Sequence, residues 1–191
     1  MVTEITGVPV ANASLLDEGT AAAEAMNMCF SVHGEKRKTI FVSSKVYPHT
    51  ISVIETRAKP LGIKVEIGDP NSVDFKTRTD LMGVILQNPD VHGTIVDWEN
   101  KVKDIHHSEG LVVLIQDLLS ATLHKTPGEM GADITLGSTQ RFGVPMGFGG
   151  PHAAFFATVD KHRFKMPGRV IGVSKDAHGS LAYRMSMQSR E

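Results

Sequence analysis

Leu111-Val-Val-Leu-Ile115 decides the fold class. Five consecutive apolar residues leave no polar face, so a strand built from them is buried on both sides, as in a parallel sheet covered by helices. Working outward, Thr39–Val42 (TIFV) reads as a short β-branched strand beside the basic run Lys36–Lys38. Pro48 to Lys59 sets Ile51, Ile54 and Ala58 at helical spacing, with Pro48 as a first-turn proline and Gly62 as the stop. Ile63–Ile67 alternates as a strand does. Met82–Leu86 is another apolar strand, closed by Asn88-Pro89. Ile95 to His106 reads as an amphipathic helix whose Val102 and Ile105 share a face with Trp98. Ala132–Leu136 and Ala153–Val159 complete the strands. This order predicts an α/β fold with a mostly parallel sheet and helices on its faces.

The two ends read differently. Asn12 to Glu18 is polar and loop-like, and Thr20 to Phe30 is an Ala- and Met-rich helix with Glu24 as its only charge. Ser14 and Asp17 stand at capping-box spacing, which would start the helix a turn earlier and place Gly19 inside it, at a cost of about 1 kcal/mol against Ala. The preferred reading keeps Gly19 in a loop and starts the helix close to Thr20. Residues 160–191, with Pro167, Gly168, Gly172 and Gly179 among scattered Lys and Arg, read as hairpins or an irregular excursion. The whole chain, 1–191, is expected to be a single domain.

Composition excludes several function classes. The 191 residues carry 20 Lys plus Arg against 21 Asp plus Glu, a balance that argues against nucleic acid or an acidic membrane as partner. A lone cysteine, Cys29, rules out an internal disulfide framework and a Cys-cluster zinc site, and its flanks Met28 and Phe30 point to a buried structural thiol. No apolar run reaches the roughly 18–20 residues of a membrane span. His106 and His107 are adjacent and diverge from a helix, and neither H-E-x-x-H nor G-x-S-x-G occurs.

Three places invite a ligand. Gly19-Thr20-Ala21 stands at a helix start, where free N–H groups and the helix dipole favour phosphate, or where a capped helix simply begins. Asp117 follows the buried strand, where ligands of open α/β sheets bind; it either holds a cationic ring nitrogen or caps the helix from Leu118. Gly143–Pro151 (GVPMGFGGP) is neither a P-loop nor a dinucleotide loop and reads as a tight, close-approach loop between two strands.

Longer motifs carry a resemblance. Asn12-Ala-Ser-Leu-Leu-Asp-Glu-Gly-Thr-Ala-Ala-Ala-Glu-Ala25 and the run from Gly137 to Phe156, with Thr56–Ala58, Pro127–Glu129, Met166–Arg169 and Gln188–Glu191, closely resemble the N-terminal half of the P-protein family of the glycine cleavage system. The resemblance covers essentially the whole chain. It implies the three-layer α/β/α large domain of the aminotransferase-like, pyridoxal-phosphate-dependent fold type I. It implies an oxidoreductase that, as the intact protein, decarboxylates glycine with pyridoxal 5'-phosphate and passes the aminomethyl group to the lipoylated H-protein.

In that family the cofactor lysine lies in the C-terminal half, in a His-Lys-Thr-Phe motif followed two residues later by Pro. This chain reads Thr139-Gln-Arg-Phe-Gly-Val-Pro145 at the matching place. Counting from the proline puts Gln140 at the lysine position, while upstream anchors choose Arg141. Neither side chain attacks an aldehyde: the amide is not nucleophilic and the guanidinium stays protonated. Lys125, Lys161 and Lys165 fall outside the motif. The resemblance therefore implies no catalytic residue here, no covalently bound cofactor, and Thr20 and Asp117 as vestiges of the phosphate cup and the pyridinium partner.

It also implies a partial sequence, open at both ends, whose partners are a C-terminal half or second subunit in a dimeric assembly, the H-protein and glycine. The compartment would be the mitochondrial matrix in a eukaryote and the cytoplasm otherwise. Two rival readings stand beside this one: a lysine-free scaffold subunit of a split, two-chain P-protein, and a stand-alone enzyme using one of its own lysines.

Overall fold

The computed structural model describes residues 1–188 apart from Glu35 and Pro151. Seven strands form one sheet in the order β1-β7-β6-β5-β4-β2-β3. β2 (Thr39–Ser43), β3 (Lys64–Gly68), β4 (Leu81–Asn88), β5 (Leu111–Gln116) and β6 (Ile134–Ser138) run parallel, while β7 (Ala154–Thr158) is antiparallel to β6 and to β1 (Val10–Ala11). Every residue of β4 and β5 is buried. The uninterrupted apolar reading of Leu111–Ile115 thus describes the centre of the sheet.

Two apolar layers cover the two faces. On one, Ile40, Val42, Val113 and Ile115 pack with Ala22, Met26 and Cys29 of α2 (Glu18–Val32) and with Ile54 and Ala58 of α3 (Pro48–Ala58). On the other, Phe41, Val84, Val112 and Leu114 meet Trp98 and, from α4 (Glu99–His107), Val102 and Ile105. Each such aliphatic side chain contributes about 1.5–3 kcal/mol by leaving water. The three-layer α/β/α arrangement follows from this division. The crossover from β3 to β4 carries two short 3₁₀ turns instead of a helix, and its Phe75 ring meets Phe41 edge-on at 5.3 Å.

Two helix starts differ from the sequence reading. α2 begins at Glu18, before Gly19, because the Asp17 side chain accepts the Thr20 N–H at 2.7 Å and caps the helix. Gly19 then lies in the first turn, where a Cβ would come within 3.4 Å of Val53 on α3. α4 begins at Glu99, not Ile95. Asp90 accepts the His92 and Thr94 N–H groups and Asn88 accepts that of Val96, so the intervening backbone is held out of helix until Asp97 accepts Glu99 N–H.

Beyond β7, β8 (Arg169–Lys175) and β9 (Leu181–Gln188) form a separate antiparallel hairpin. The short helices α1 (Val2–Thr6), α5 (Leu118–Ala121) and α6 (Pro127–Met130) complete the chain. α6 carries a full capping box between Thr126 and Glu129. Cys29 is fully buried, as its apolar flanks imply. At the sheet edge, β3 presents Lys64 and Glu66, paired at 2.7 Å, with Arg78 also on Glu66 at 2.7 Å.

At the amino ends of the strands, buried Asp133 ties several elements together. Its carboxylate accepts Val112 N–H at 2.9 Å, meets His106 Nε2 at 2.7 Å and pairs with Lys161 at 3.2 Å. Burial alone raises a carboxyl pKa; here the His106 and Val112 partners outweigh it and hold Asp133 below the usual range. His106 is thus a structural partner, and among the described residues no group of three or more His, Cys, Asp or Glu is placed to hold a metal ion.

β5 and β6 approach closely at Gly137, where a Cβ would stand 2.2 Å from the Gln116 carbonyl oxygen and 2.8 Å from the Phe155 ring. Gly137→Ala is therefore expected to destabilise the fold by about 1–3 kcal/mol in urea unfolding, the usual range for overpacking. An unchanged midpoint would refute this contact.

Candidate functional site

Parallel strands joined by crossovers bring their carboxyl ends and the following helix starts to one edge, where α/β proteins bind ligands. Here that edge holds a cleft of about 580 Å³. Glu18, Tyr47, Gln87, Asp117, Gln140 and Arg141 line it. Gln87 is the next-to-last residue of β4; its Oε1 accepts Tyr47 N–H at 3.0 Å and its Nε2 donates to Pro89 O at 3.0 Å. Tyr47 stacks on His49 with ring centres 5.5 Å apart.

Asp117 leaves the end of β5 and does two things at once. Its Oδ1 accepts Leu119 N–H at 2.8 Å and Ser120 N–H at 3.4 Å, capping α5. Its Oδ2 accepts Arg141 Nη1 at 2.8 Å. The Arg141 side chain is 58% exposed, so the pair is worth about 0–1 kcal/mol and serves chiefly to place the guanidinium across the cleft. Arg141 belongs to a one-turn 3₁₀ helix, Gln140–Phe142, whose entry is fixed by Ser138 Oγ accepting Gln140 N–H at 3.1 Å.

Glu18, in the first turn of α2, is the unusual acid of the site. Burial first, then the nearby Asp117 carboxylate, push its pKa up to about 7. Near neutrality it is both a proton donor and a proton acceptor.

Of the residues singled out from the sequence, Asp117 and Gln140 meet in this cleft. Thr20 does not: it lines a separate hollow of about 360 Å³ with Leu15, Glu24, Arg57 and Arg169. The glycine-rich loop joins β6 to β7 and makes one close approach, at Gly150, where a Cβ would stand 3.1 Å from the Gly147 carbonyl oxygen. Gly143, Gly147 and Gly149 have φ of 103°, 50° and 86°, and nothing lies within 4 Å of a Cβ at Gly143 or Gly149. Positive φ is what these glycines supply. Pro151 of that loop lies outside the described residues.

Sequence reasoning missed Glu18 and Gln87. The rule that found Asp117, a polar residue just past an apolar strand, also fits Gln87 after Met82–Leu86. Glu18 carried no signal, because a pKa raised by burial depends on tertiary neighbours.

A pyridoxal-phosphate cofactor does not fit these residues. No lysine is among the described residues lining the cleft. The carboxylate that would face a pyridinium nitrogen is already taken by two backbone N–H groups and Arg141. At the α2 terminus the Thr20 N–H is given to Asp17, whose carboxylate would repel a phosphate.

Comparison with known proteins places this geometry. The model of the glycine cleavage system P-protein family matches residues 1–191. The chain belongs to that family. It is 52% identical over all of its residues to the glycine dehydrogenase (decarboxylating) of Synechocystis and 54% identical to the mitochondrial one of Dictyostelium discoideum, covering 19% of each. This P-protein segment therefore spans about a fifth of the length of those curated relatives. A crystal structure of a glycine decarboxylase P-protein in inhibitor-bound form superposes with a TM-score of 0.89 at 31% identity, over all of this chain and 44% of the matched chain. A cystathionine gamma lyase of Micromonospora echinospora shares the fold alone, at 19% identity and a TM-score of 0.66 over 86% of this chain and 42% of its own.

The Glu18 environment has a measurable consequence. The folded chain keeps the Glu18 proton up to about pH 7, whereas an unfolded chain loses it near pH 4.5. Its contribution to stability is therefore fullest below pH 4.5 and is lost as the pH rises to about 7. In urea unfolding across that window, Glu18→Gln is expected to lose less stability than the parent chain and to be the more stable of the two at pH 8. Parallel profiles would refute the environment described.

Proposed function

We propose that this chain works as one part of a glycine dehydrogenase (decarboxylating), the P-protein that releases the glycine carboxyl as carbon dioxide and passes the aminomethyl group to the lipoyl arm of the H-protein. The observation that carries the reading is the match of every residue to that family, at about half identity to its curated members. Pyridoxal 5'-phosphate supplies the electron sink for the decarboxylation in the intact enzyme, and on this reading it is held by the lysine-bearing part of the protein.

The residues of this chain do other work. Gln140 stands where the cofactor lysine would be and cannot take its role. Asp117 holds Arg141 and the start of α5. The Asp17 carboxylate at the α2 terminus turns away phosphate. Thr20 and Asp117 are remnants of a cofactor cradle; Asp117 now caps α5, and Thr20 lines a separate hollow. The 191 residues act as one large domain, with an excursion from 160 whose last residues, 189–191, lie outside the described ones, and form a wall for the lysine-bearing part in a dimeric assembly. The compartment is the mitochondrial matrix if the source is eukaryotic, as for the Dictyostelium and Pisum sativum relatives named mitochondrial, and the cytoplasm otherwise.

A second reading has one observation in its favour. The solved P-protein chain is much shorter than the curated relatives, since this chain covers 44% of it against 19% of them. A split protein with a separate, lysine-free subunit therefore suits the fold. The higher identity, 52% against 31%, favours the long form.

Glycine–bicarbonate exchange tests the main reading. With pyridoxal phosphate and lipoylated H-protein, the 191-residue chain alone is expected to give no exchange. A chimera carrying it in place of the matching fifth of the Synechocystis protein is expected to exchange within about tenfold of the parent. Exchange by the chain alone, or a folded chimera without activity, would overturn it.

A further inference from the structure

The β8–β9 hairpin has its apolar side facing solvent. Its register pairs Ile171 with Met185, Val173 with Tyr183 and Lys175 with Leu181. Residues directly opposite in an antiparallel pair share a face, so five large apolar side chains form one surface. Val173, Leu181 and Tyr183 are about 70% exposed, and Ile171 and Met185 about half. The alternation along β8 is that of a strand with one covered side.

Among the described residues, the body meets the hairpin at its base. Ala13 N–H donates to Arg169 O at 2.7 Å, Asn12 Nδ2 donates to Pro167 O at 3.3 Å, and Val170 packs against the core. The far end is closed locally, with Asp176 Oδ1 accepting the His178 and Ser180 N–H groups. Isolated two-stranded hairpins are marginal in water and gain independent stability by packing an apolar face against another surface.

The size of the face selects its occupant. β8 has seven residues. At about 3.3 Å per residue, and about 10 Å for two strands, the face measures about 230 Å² in projection. A free complex of ordinary stability buries about 800 Å² on each partner, so this face alone is too small to hold a second copy of the chain. A tethered partner needs far less, because the tether supplies a high effective concentration. Such a partner exists in the relatives, where all of this chain corresponds to a fifth of a much longer polypeptide.

We propose that the Ile171–Val173–Leu181–Tyr183–Met185 face is an intramolecular docking surface, covered by an apolar surface of the P-protein polypeptide that lies outside these 191 residues. This rests on the chain being part of a longer P-protein.

The test is thiol accessibility at Val173→Cys, in the 191-residue chain and in the Synechocystis chimera. Cys29 is fully buried, with its thiol pKa raised by that burial, and does not compete. A polar maleimide is expected to label Cys at 173 at the rate of a free thiol in the short chain and at least tenfold more slowly in the folded chimera. Equal rates in the two proteins would overturn the proposal. So would a short chain that sediments as a dimer and is made monomeric by Tyr183→Asp, since that places a second copy on the face. Glycine exchange by the same chimera separates the two readings: protection without exchange sinks the function and leaves the docking, and exchange without protection does the reverse.

Discussion

The central strands have no solvent side. With every residue of β4 and β5 buried, both faces of the sheet need helices, and parallel neighbours need a crossover between each pair. Those two requirements send helix starts and strand ends to the same edge. The cleft is a product of that traffic: Gln87 and Asp117 arrive as strands β4 and β5 finish, Glu18 arrives as α2 begins, and Gln140 and Arg141 follow β6. The chemistry of the edge can change without disturbing the layers beneath it, which is how a fold outlives a site.

In this chain the groups at that edge are committed to one another around an open cleft. Asp117 is shared between a helix cap and a guanidinium, the α2 terminus is shared between its cap Asp17 and a half-buried Glu18, and no lysine is among the described residues lining the space between. Each contact is modest alone. Together they close the positions at which an anionic, aldehyde-bearing cofactor would be anchored. The family likeness fixes the scaffold as that of the P-protein, and the site geometry shows what its strand-end edge holds in this segment.

Much of the architecture was legible because burial on both faces leaves an uninterrupted apolar run, and Leu111–Ile115 and Met82–Leu86 are such runs. Pro48 and Gly62 marked the limits of α3 and its 3₁₀ extension, since each acts through its own backbone. The start of α4 was not legible. It is set by Asp90 and Asn88, whose side chains capture the N–H groups that a helix from Ile95 would use. Gly19 was misplaced for a related reason: Asp17, not Ser14, is the cap, and the α3 contact at Val53 gives the glycine its place in the turn. Asp117 was found by position, with two roles open, and the structure shows the capping one. The side to which Thr20 turns depends on neighbours from β8 and α3 that local pattern does not announce.

The outer strand β3 has a bearing on how this molecule meets others. Its Lys64 and Glu66, joined by Arg78, put a charged lattice along the one long open border of the sheet. Alternating charge there discourages another strand from adding to that border. Growth into fibres by strand addition is thereby blocked on that flank, while the opposite flank ends in the two-residue β1. Both borders of the sheet are thus poor templates for a further strand.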